Sequence, residues 1–195
     1  HPFMVANRMV QLDHMTRGRV MFGVGPGALP TDAYMMGIDP ITQRAKMDEA
    51  LGIILRLFTE LEPITYKADW FELNEALLQL RPYQKPHMPI AVASIQSPSG
   101  VQLAGKHGAS VLTITVPRDP LADRADYGKL WDIAEESAEK HGQVVKREDW
   151  RLVVPVHLAE TREKAREQAR EGAAGFLRDY TEGTNGRKPV FDGPR

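Results

Sequence analysis

The sequence contains no cysteine among its 195 residues, which excludes disulfides, thiolate metal sites and cysteine nucleophiles. It also has no excess of charge of either sign. The formal net charge is −1, so no overall field favours nucleic acid or an anionic membrane surface. No apolar run approaches the ~20 residues of a membrane-spanning helix. We therefore expect a cytoplasmic protein that binds neither nucleic acid nor membrane, folded as a single domain over residues 1–195.

Two common catalytic signatures are also missing. None of the six histidines shows the i, i+4 spacing of a helical zinc pair, and no G-x-S-x-G nucleophile elbow occurs. We therefore predict no metal site, and the residues by themselves assign no catalytic group.

The sequence does contain strand-like segments that alternate with helix-like ones. Short apolar runs predict strands at 19–24, 89–94, 109–116 and 150–159, and the last of these contains Pro155. Amphipathic spacing predicts helices between them: 3–15, about 40–60, a short one within 97–108, 121–141, and one that follows Thr161. Residues 61–88 are predicted to hold a hairpin or loop insertion, and residues from Thr181 a loop.

This alternation predicts an α/β fold with a parallel sheet. Two architectures remain open at this point, the doubly wound sheet and the (β/α)8 barrel. The four predicted strands are about half of the number that a complete barrel needs.

A glycine-rich loop follows the first predicted strand, in GRVMFGVGPGALP at residues 18–30. It fits G-x-G-x-x-A, a form of the dinucleotide-binding fingerprint. However, Pro26 lacks an N–H group, and the next predicted helix begins only near Pro40, so no helix N-terminus would meet a phosphate there. The two other interpretations are a tight turn without a ligand and a strand-end loop at the mouth of a barrel.

Two longer stretches resemble one family. HPFMVANRMVQLDHMTRGRVMFGVGPGALPTDAYMMGI and PITYKADWFELNEALLQLRPYQKPHMPIAVAS are similar to the bacterial luciferase-like, flavin-dependent monooxygenases. The similarity extends from residue 1 to about residue 180, and is greatest to the branch of limonene and long-chain alkane monooxygenases. It implies a (β/α)8 TIM-barrel type of fold, of which this chain covers about strand 4 to helix 7. A partial barrel of this kind would expose the edges of its end strands.

The resemblance also implies a site for reduced flavin mononucleotide (FMN) at the carboxyl end of the barrel. Two loops match the phosphate side of that site, and the residues concerned are Gly25, Gly27, Ala28, Gln96, Ser97, Ser99 and Gly100. The start of a helix at Ser99 and Gly100 suits an anion. Ser97 could equally be a plain helix N-cap.

Two further points concern the residues around this site. Some family members carry Arg where this chain has Pro26, so one phosphate partner of those members is missing here. Asp32 and Tyr34 lie in the same loop region, where they could contact substrate or flavin or remain solvated.

The function that the resemblance implies is two-component monooxygenation. A separate flavin reductase would supply reduced FMN, and O2 would oxygenate a small apolar substrate such as a terpene or an alkane. The alternatives are a deazaflavin-dependent oxidoreductase of the same superfamily and a non-catalytic, truncated barrel fragment. We also consider a homo-oligomer in which two copies pair along their exposed strand edges.

Overall fold

The computed structural model describes residues 1–95, 97–114 and 126–184, except for the side chains at 177, 181, 182 and 184. Its helices and strands, in chain order, are α1 (Pro2–Thr16), β1 (Phe22–Val24), α2 (Pro30–Met35), α3 (Gln43–Thr59), β2 (Ile64–Lys67), β3 (Glu72–Ala76), β4 (Ile90–Ser94), α4 (Pro98–His107), β5 (Ser110–Ile114), α5 (Tyr127–Lys140), β6 (Arg151–Val153) and α6 (Arg162–Gly175). Short 3₁₀ turns occur at Pro40–Thr42 and Arg147–Asp149, and a π-helical segment, Phe176–Thr184, follows α6.

The main sheet has four strands in the order β1-β4-β5-β6, and every pair of neighbours is parallel. The strands therefore lie side by side in the order in which the chain forms them, as predicted. A doubly wound sheet instead reverses its strand order at a switch point. The observed order is that of consecutive β/α units in a barrel, so the α/β prediction and its barrel form are confirmed.

The hydrophobic core lies on one face of this sheet. Val92 and Val111 point from β4 and β5 towards the helices and are at most 1% exposed. They meet a layer of buried side chains from α3 and α4: Leu51, Leu57, Phe58, Val101 and Ala104. On the opposite face Ile114 and Val153 are paired in register and remain 45% and 46% exposed. The structure is therefore a partial barrel whose interior face is open.

The predicted hairpin is present as the antiparallel pair β2–β3. It is held against α3 by Glu49, whose carboxylate oxygens accept hydrogen bonds from the Tyr66 hydroxyl (2.9 Å) and from Trp70 Nε1 (2.7 Å). The hydrogen bond to Glu49 raises the pKa of Tyr66. That residues 61–88 are an insertion, and that residues 1–195 form one domain, stay predictions.

Several boundaries differ from those predicted. The predicted strand 19–24 forms only over Phe22–Val24. Residues 30–35, expected as loop, form α2, because Pro30 occupies the first helical position, where a missing N–H removes no helical bond. The predicted strand 150–159 forms only over Arg151–Val153, two residues before Pro155, which has no N–H group for a sheet ladder. Residues 181–184, expected as the start of a loop, belong to the π-helical segment, and the rest of that expected loop, residues 185–195, lies outside the described residues. Residues 115–116 and 121–125 lie outside the described part of the chain.

Helices α4 and α5 cross in close contact at Gly105. A Cβ atom at this position would lie 2.8 Å from Ser137 Cβ and 2.9 Å from the backbone nitrogen of Ala138. Both atoms belong to the side of α5 that packs against α4, so α5 cannot move away without uncovering buried residues such as Ala134 and Ala138. A glycine is therefore required at 105 by packing.

We expect Gly105→Ala to lower the free energy of unfolding by about 1–3 kcal/mol, because overpacking outweighs the better helix propensity of alanine. Denaturant unfolding followed by circular dichroism measures the change. Gly172→Ala in α6 is the matched control, since no atom lies within 4 Å of the Cβ that it adds. That variant should be unchanged or more stable by up to about 1 kcal/mol. Equal effects of the two substitutions would contradict the packing argument.

Candidate functional site

The two loops singled out in the sequence meet at the carboxyl ends of β1 and β4. They form two sides of a cleft of about 580 Å³. The cleft is lined by Gly25, Pro26, Gly27, Ala28, Arg44, Ala93, Ser94, Ile95, Ser97 and Ile114. Gln96, which was also predicted for this site, lies outside the described residues. Parallel strands place such loops together because all of their carboxyl ends share one edge of the sheet.

Ser97 and Ser99 lie at the start of α4. Ser97 occupies the N-cap position with an extended backbone, yet its hydroxyl makes no capping hydrogen bond. Instead the two serine hydroxyls are hydrogen-bonded to each other at 2.8 Å. The first N–H groups of a helix have no acceptor within the helix, and they carry the positive end of its dipole. Two hydroxyls therefore lie beside a helix N-terminus that favours a negative group.

A cation that the sequence analysis did not identify completes this arrangement. Arg44 is exposed on the first turn of α3, and its guanidinium Nη1 donates a hydrogen bond to Ser99 Oγ. The two residues are 55 positions apart in sequence. No motif links them, and Arg44 looks like any charged residue on a solvated helix face. Only the packing of α3 beside α4 reveals the pair.

Glycine is required at two positions around the cleft. Gly27 has a φ of +89°, in the left-handed region, and a Cβ there would lie 3.1 Å from Gln43 Nε2. At Gly100 a Cβ would lie 2.7 Å from Ser94 Cβ and 3.0 Å from the carbonyl oxygen of Ala93. Gly100 thus allows the N-terminus of α4 to approach the end of β4. Its role in the fold is close packing, and this packing positions Ser97 and Ser99.

Asp32 and Tyr34 are not brought to the cleft. Both lie on α2 with exposed side chains, and Tyr34 is 86% exposed. An apolar groove of about 690 Å³ adjoins the cleft along β1, and neither residue lines this groove. Its walls include Phe22, Val24, Met36, Ile38, Met47 and Trp70. That Asp32 and Tyr34 contact a ligand stays a prediction.

Asp48 lies one helical turn beyond Arg44 and joins α3 to the far end of α4. Its carboxylate accepts hydrogen bonds from Lys106 Nζ (2.7 Å) and His107 Nε2 (2.7 Å). Burial by itself raises the pKa of Asp48, but the hydrogen bonds from Lys106 and His107 outweigh burial and hold that pKa below its usual value. This cluster fixes α4 relative to α3, and so fixes Arg44 relative to Ser99.

Two other features are absent from the described residues. No group of three or more His, Asp or Glu side chains in that part of the chain could hold a metal ion. None of the helices in that part is long and apolar enough to cross a membrane.

The model of the luciferase-like monooxygenase family matches residues 1–190. The chain belongs to this family. It is 45% identical over 180 residues to 4-hydroxyprotoasukamycin monooxygenase of Streptomyces nodosus subsp. asukaensis, covering 92% of this chain and 48% of that protein. Its identity to limonene 1,2-monooxygenase of Rhodococcus erythropolis is also 45% over 180 residues, covering 92% and 45%. The resemblance stated from the sequence is confirmed, and the chain spans about half the length of these curated relatives.

Two solved structures also share the fold of this chain over about half of their own length. Monooxygenase RslO1 from Streptomyces bottropensis superposes with a TM-score of 0.80 at 24% identity, covering 95% of this chain and 55% of that one. The oxygenating constituent of 3,6-diketocamphane monooxygenase from Pseudomonas putida, solved in complex with FMN, gives a TM-score of 0.70 at 22% identity, covering 93% and 52%. This luciferase-like chain therefore has the fold of about half of each of these proteins.

Proposed function

We propose that this luciferase-like chain forms the phosphate-binding side of an FMN site in a two-component monooxygenase. The observation that carries the proposal is the convergence of Arg44, Ser97, Ser99 and the N-terminus of α4 beside the glycine loop at the carboxyl ends of β1 and β4. The 45% identity to limonene 1,2-monooxygenase supports the reaction class.

The residues present fit the phosphate of FMN. A guanidinium forms short, charge-assisted hydrogen bonds with phosphate oxygens, and a helix N-terminus adds N–H donors and a favourable dipole. Ser97 and Ser99 add two hydroxyl donors. Gly25, Gly27 and Ala28 carry little or no side chain, so a ligand can approach their backbone. Arg44 compensates for Pro26, which stands where some family members have an arginine. Gln96, which lies outside the described residues, stays part of the proposed site on the sequence resemblance alone.

The remaining contribution of the chain is to orient the flavin and to limit its contact with water. Ile95 and Ile114 give the cleft an apolar side, against which a flat ring system can pack. When bound, reduced FMN supplies the oxygen-activating chemistry, and the protein supplies position and environment. We propose a separate flavin reductase as its source, a cytoplasmic setting, and a small apolar substrate of the terpene or alkane type.

A deazaflavin with a longer acidic tail is the second candidate cofactor. A solved F420-dependent secondary alcohol dehydrogenase shares the fold at a TM-score of 0.69 and 24% identity. Among the described residues that line the cleft, Arg44 is the one cation. A tail with more negative charges would need more basic partners, so the cleft favours FMN.

Replacing Ser97 by alanine tests the proposed site. We expect the affinity for reduced FMN to fall about ten- to a hundred-fold, because a hydrogen bond to a charged group contributes roughly 1.5–3 kcal/mol. Anaerobic titration calorimetry measures the change.

Ser137→Ala provides the control for this titration. The Ser137 hydroxyl donates to the carbonyl oxygen of Gln102 (2.7 Å) on the outer helices, so its removal should leave FMN affinity unchanged. If Ser97→Ala also binds FMN as the unmodified chain does, Ser97 only shapes the start of α4. If the unmodified chain binds neither FMN nor a deazaflavin, the non-catalytic alternative is correct for these 195 residues.

A further inference from the structure

One side of α3 contacts α4 through residues that are four positions apart. Arg44, Asp48 and Gly52 follow one another at this spacing, which places them on the same side of the helix. Arg44 donates to Ser99 at the start of α4, and Asp48 accepts from the last turn of α4. At Gly52 an added Cβ would lie 3.5 Å from His107 Cε1. This side of α3 therefore meets both ends of α4.

The first turns of α3 and α4 are not packed tightly against each other. A pocket of about 240 Å³ lies between them, bordered by Arg44 and Asp48 on α3 and by Ser99 and Leu103 on α4. The buried side chains of α3 begin only at Leu51, two turns after Arg44. Dispersion contacts weaken steeply across a gap, so apolar packing alone does not fix the position of Arg44.

Asp48 provides a polar link across this gap. Lys106 Nζ donates to both carboxylate oxygens, at 2.8 and 2.7 Å, and His107 Nε2 lies 2.7 Å from Oδ1. The side chain of His107 is only 11% exposed, so the link ends on a group that packing holds in place. An Arg and an Asp at this spacing can pair with each other. Because α4 engages both oxygens of Asp48, Arg44 instead donates to Ser99.

We propose that Asp48 is a positioning residue for phosphate recognition, which holds the start of α3 against α4 so that Arg44 and Ser99 meet the same anion. This inference rests on the proposed FMN site and deepens it. Asp48 lies one helical turn from Arg44, and a negative charge so near would by itself repel a phosphate. Removing Asp48 therefore tightens FMN binding if only its charge matters, and weakens FMN binding if its link to α4 matters.

The sign of this change is measured by anaerobic calorimetry with reduced FMN and reduced riboflavin. We expect Asp48→Ala to lower the preference for FMN over riboflavin at least about five-fold, and to leave the affinity for riboflavin unchanged. In a chain that already carries Arg44→Ala, the same substitution should change the preference no further, because Asp48 acts through Arg44. Asp48→Asn keeps the size of the side chain and should also lower the preference, since its amide accepts through one oxygen only.

Glu60→Ala is the matched control. It also removes from the end of α3 a carboxylate in an ion pair, the one between Glu60 and Arg56 (2.7 Å), but far from Arg44. This variant should retain the preference for FMN, and circular dichroism establishes that each variant is folded. A preference in Asp48→Ala equal to that of the unmodified chain, or greater, would overturn the proposal.

A distance measurement without flavin separates this inference from the proposed function. Because the chain has no cysteine, Ile41→Cys and Gln102→Cys can carry two nitroxide labels, at exposed positions just before α3 and on α4. Electron paramagnetic resonance should show a broader distribution of label distances when Asp48→Ala is added. An unchanged distribution would overturn the positioning role, whatever the affinity for FMN. A broader distribution in a chain that does not prefer FMN to riboflavin would support the link from Asp48 to α4, and would overturn the proposed phosphate site instead.

Discussion

Replacing Asp13 by alanine is expected to lower the free energy of unfolding by about 2–5 kcal/mol. Asp13 is fully buried, and its carboxyl oxygens accept hydrogen bonds from the backbone N–H of Gln84 (2.9 Å) and from Gln84 Nε2 (2.8 Å). The same amide group donates to the carbonyl oxygen of Val20 (3.0 Å). A donor that loses its acceptor away from water costs roughly 1–3 kcal/mol, and Asp13→Ala removes the acceptor of two part-buried N–H groups of Gln84.

Denaturant unfolding of three variants isolates this contribution. Asp132→Ala, on an exposed position of α5, is the control and should change stability by no more than about 0.5 kcal/mol. Combining Asp13→Ala with Gln84→Ala should reveal a coupling energy of about 0.5–3 kcal/mol, because the two side chains act as one unit. An Asp13→Ala variant as stable as Asp132→Ala would show that the end of α1 is held by its apolar contacts alone.

The second large effect concerns catalysis by the 195-residue chain alone. Supplied with a flavin reductase, reduced nicotinamide, FMN, O2 and limonene as a probe substrate, it should release hydrogen peroxide and form no oxygenated limonene. Sites at a barrel mouth are built from the loops after many strands, and this chain provides the loops of four. Water reaches the cleft from the open interior face, where Ile114 and Val153 are about half exposed.

Peroxide assay and mass spectrometry of the product measure the outcome. The reductase reaction without this chain is the reference, and its ratio of peroxide to consumed nicotinamide should match that of the complete mixture. Oxygenated limonene at enzyme-like rates would contradict the expectation. It would mean that these residues by themselves already enclose the flavin.

The sequence predicted the order and direction of the strands because alternating strands and helices permit few arrangements. A helix that connects two neighbouring strands makes them parallel, and short connections keep consecutive strands adjacent. Element ends were harder to predict. α2 was missed since a six-residue helix shows little periodicity, and β6 was predicted too long since its apolar run continues past Pro155 without a sheet partner in the described chain.

Those parts of the candidate site that are formed by residues close together in sequence were predicted. A glycine loop after β1 and serines before α4 are visible in short stretches, and parallel topology brings them together. The contact of Arg44 with Ser99 and that of Asp13 with Gln84 span 55 and 71 residues. Such pairs depend on how helices pack on the sheet, and neither has a spacing rule in the sequence. The structure was needed to find them.

Arg44 and the start of α4 are proposed to bind the phosphate of FMN. The most direct test of this phosphate site compares the affinities for reduced FMN and for reduced riboflavin, which lacks the phosphate. Anaerobic calorimetry measures both affinities for the unmodified chain, for Arg44→Ala and for the control Arg162→Ala on α6. We predict that the unmodified chain and the control bind FMN about ten- to a hundred-fold more tightly than riboflavin. Arg44→Ala should lose most of this difference and retain its affinity for riboflavin. Equal affinities of the unmodified chain for FMN and riboflavin would contradict the claim.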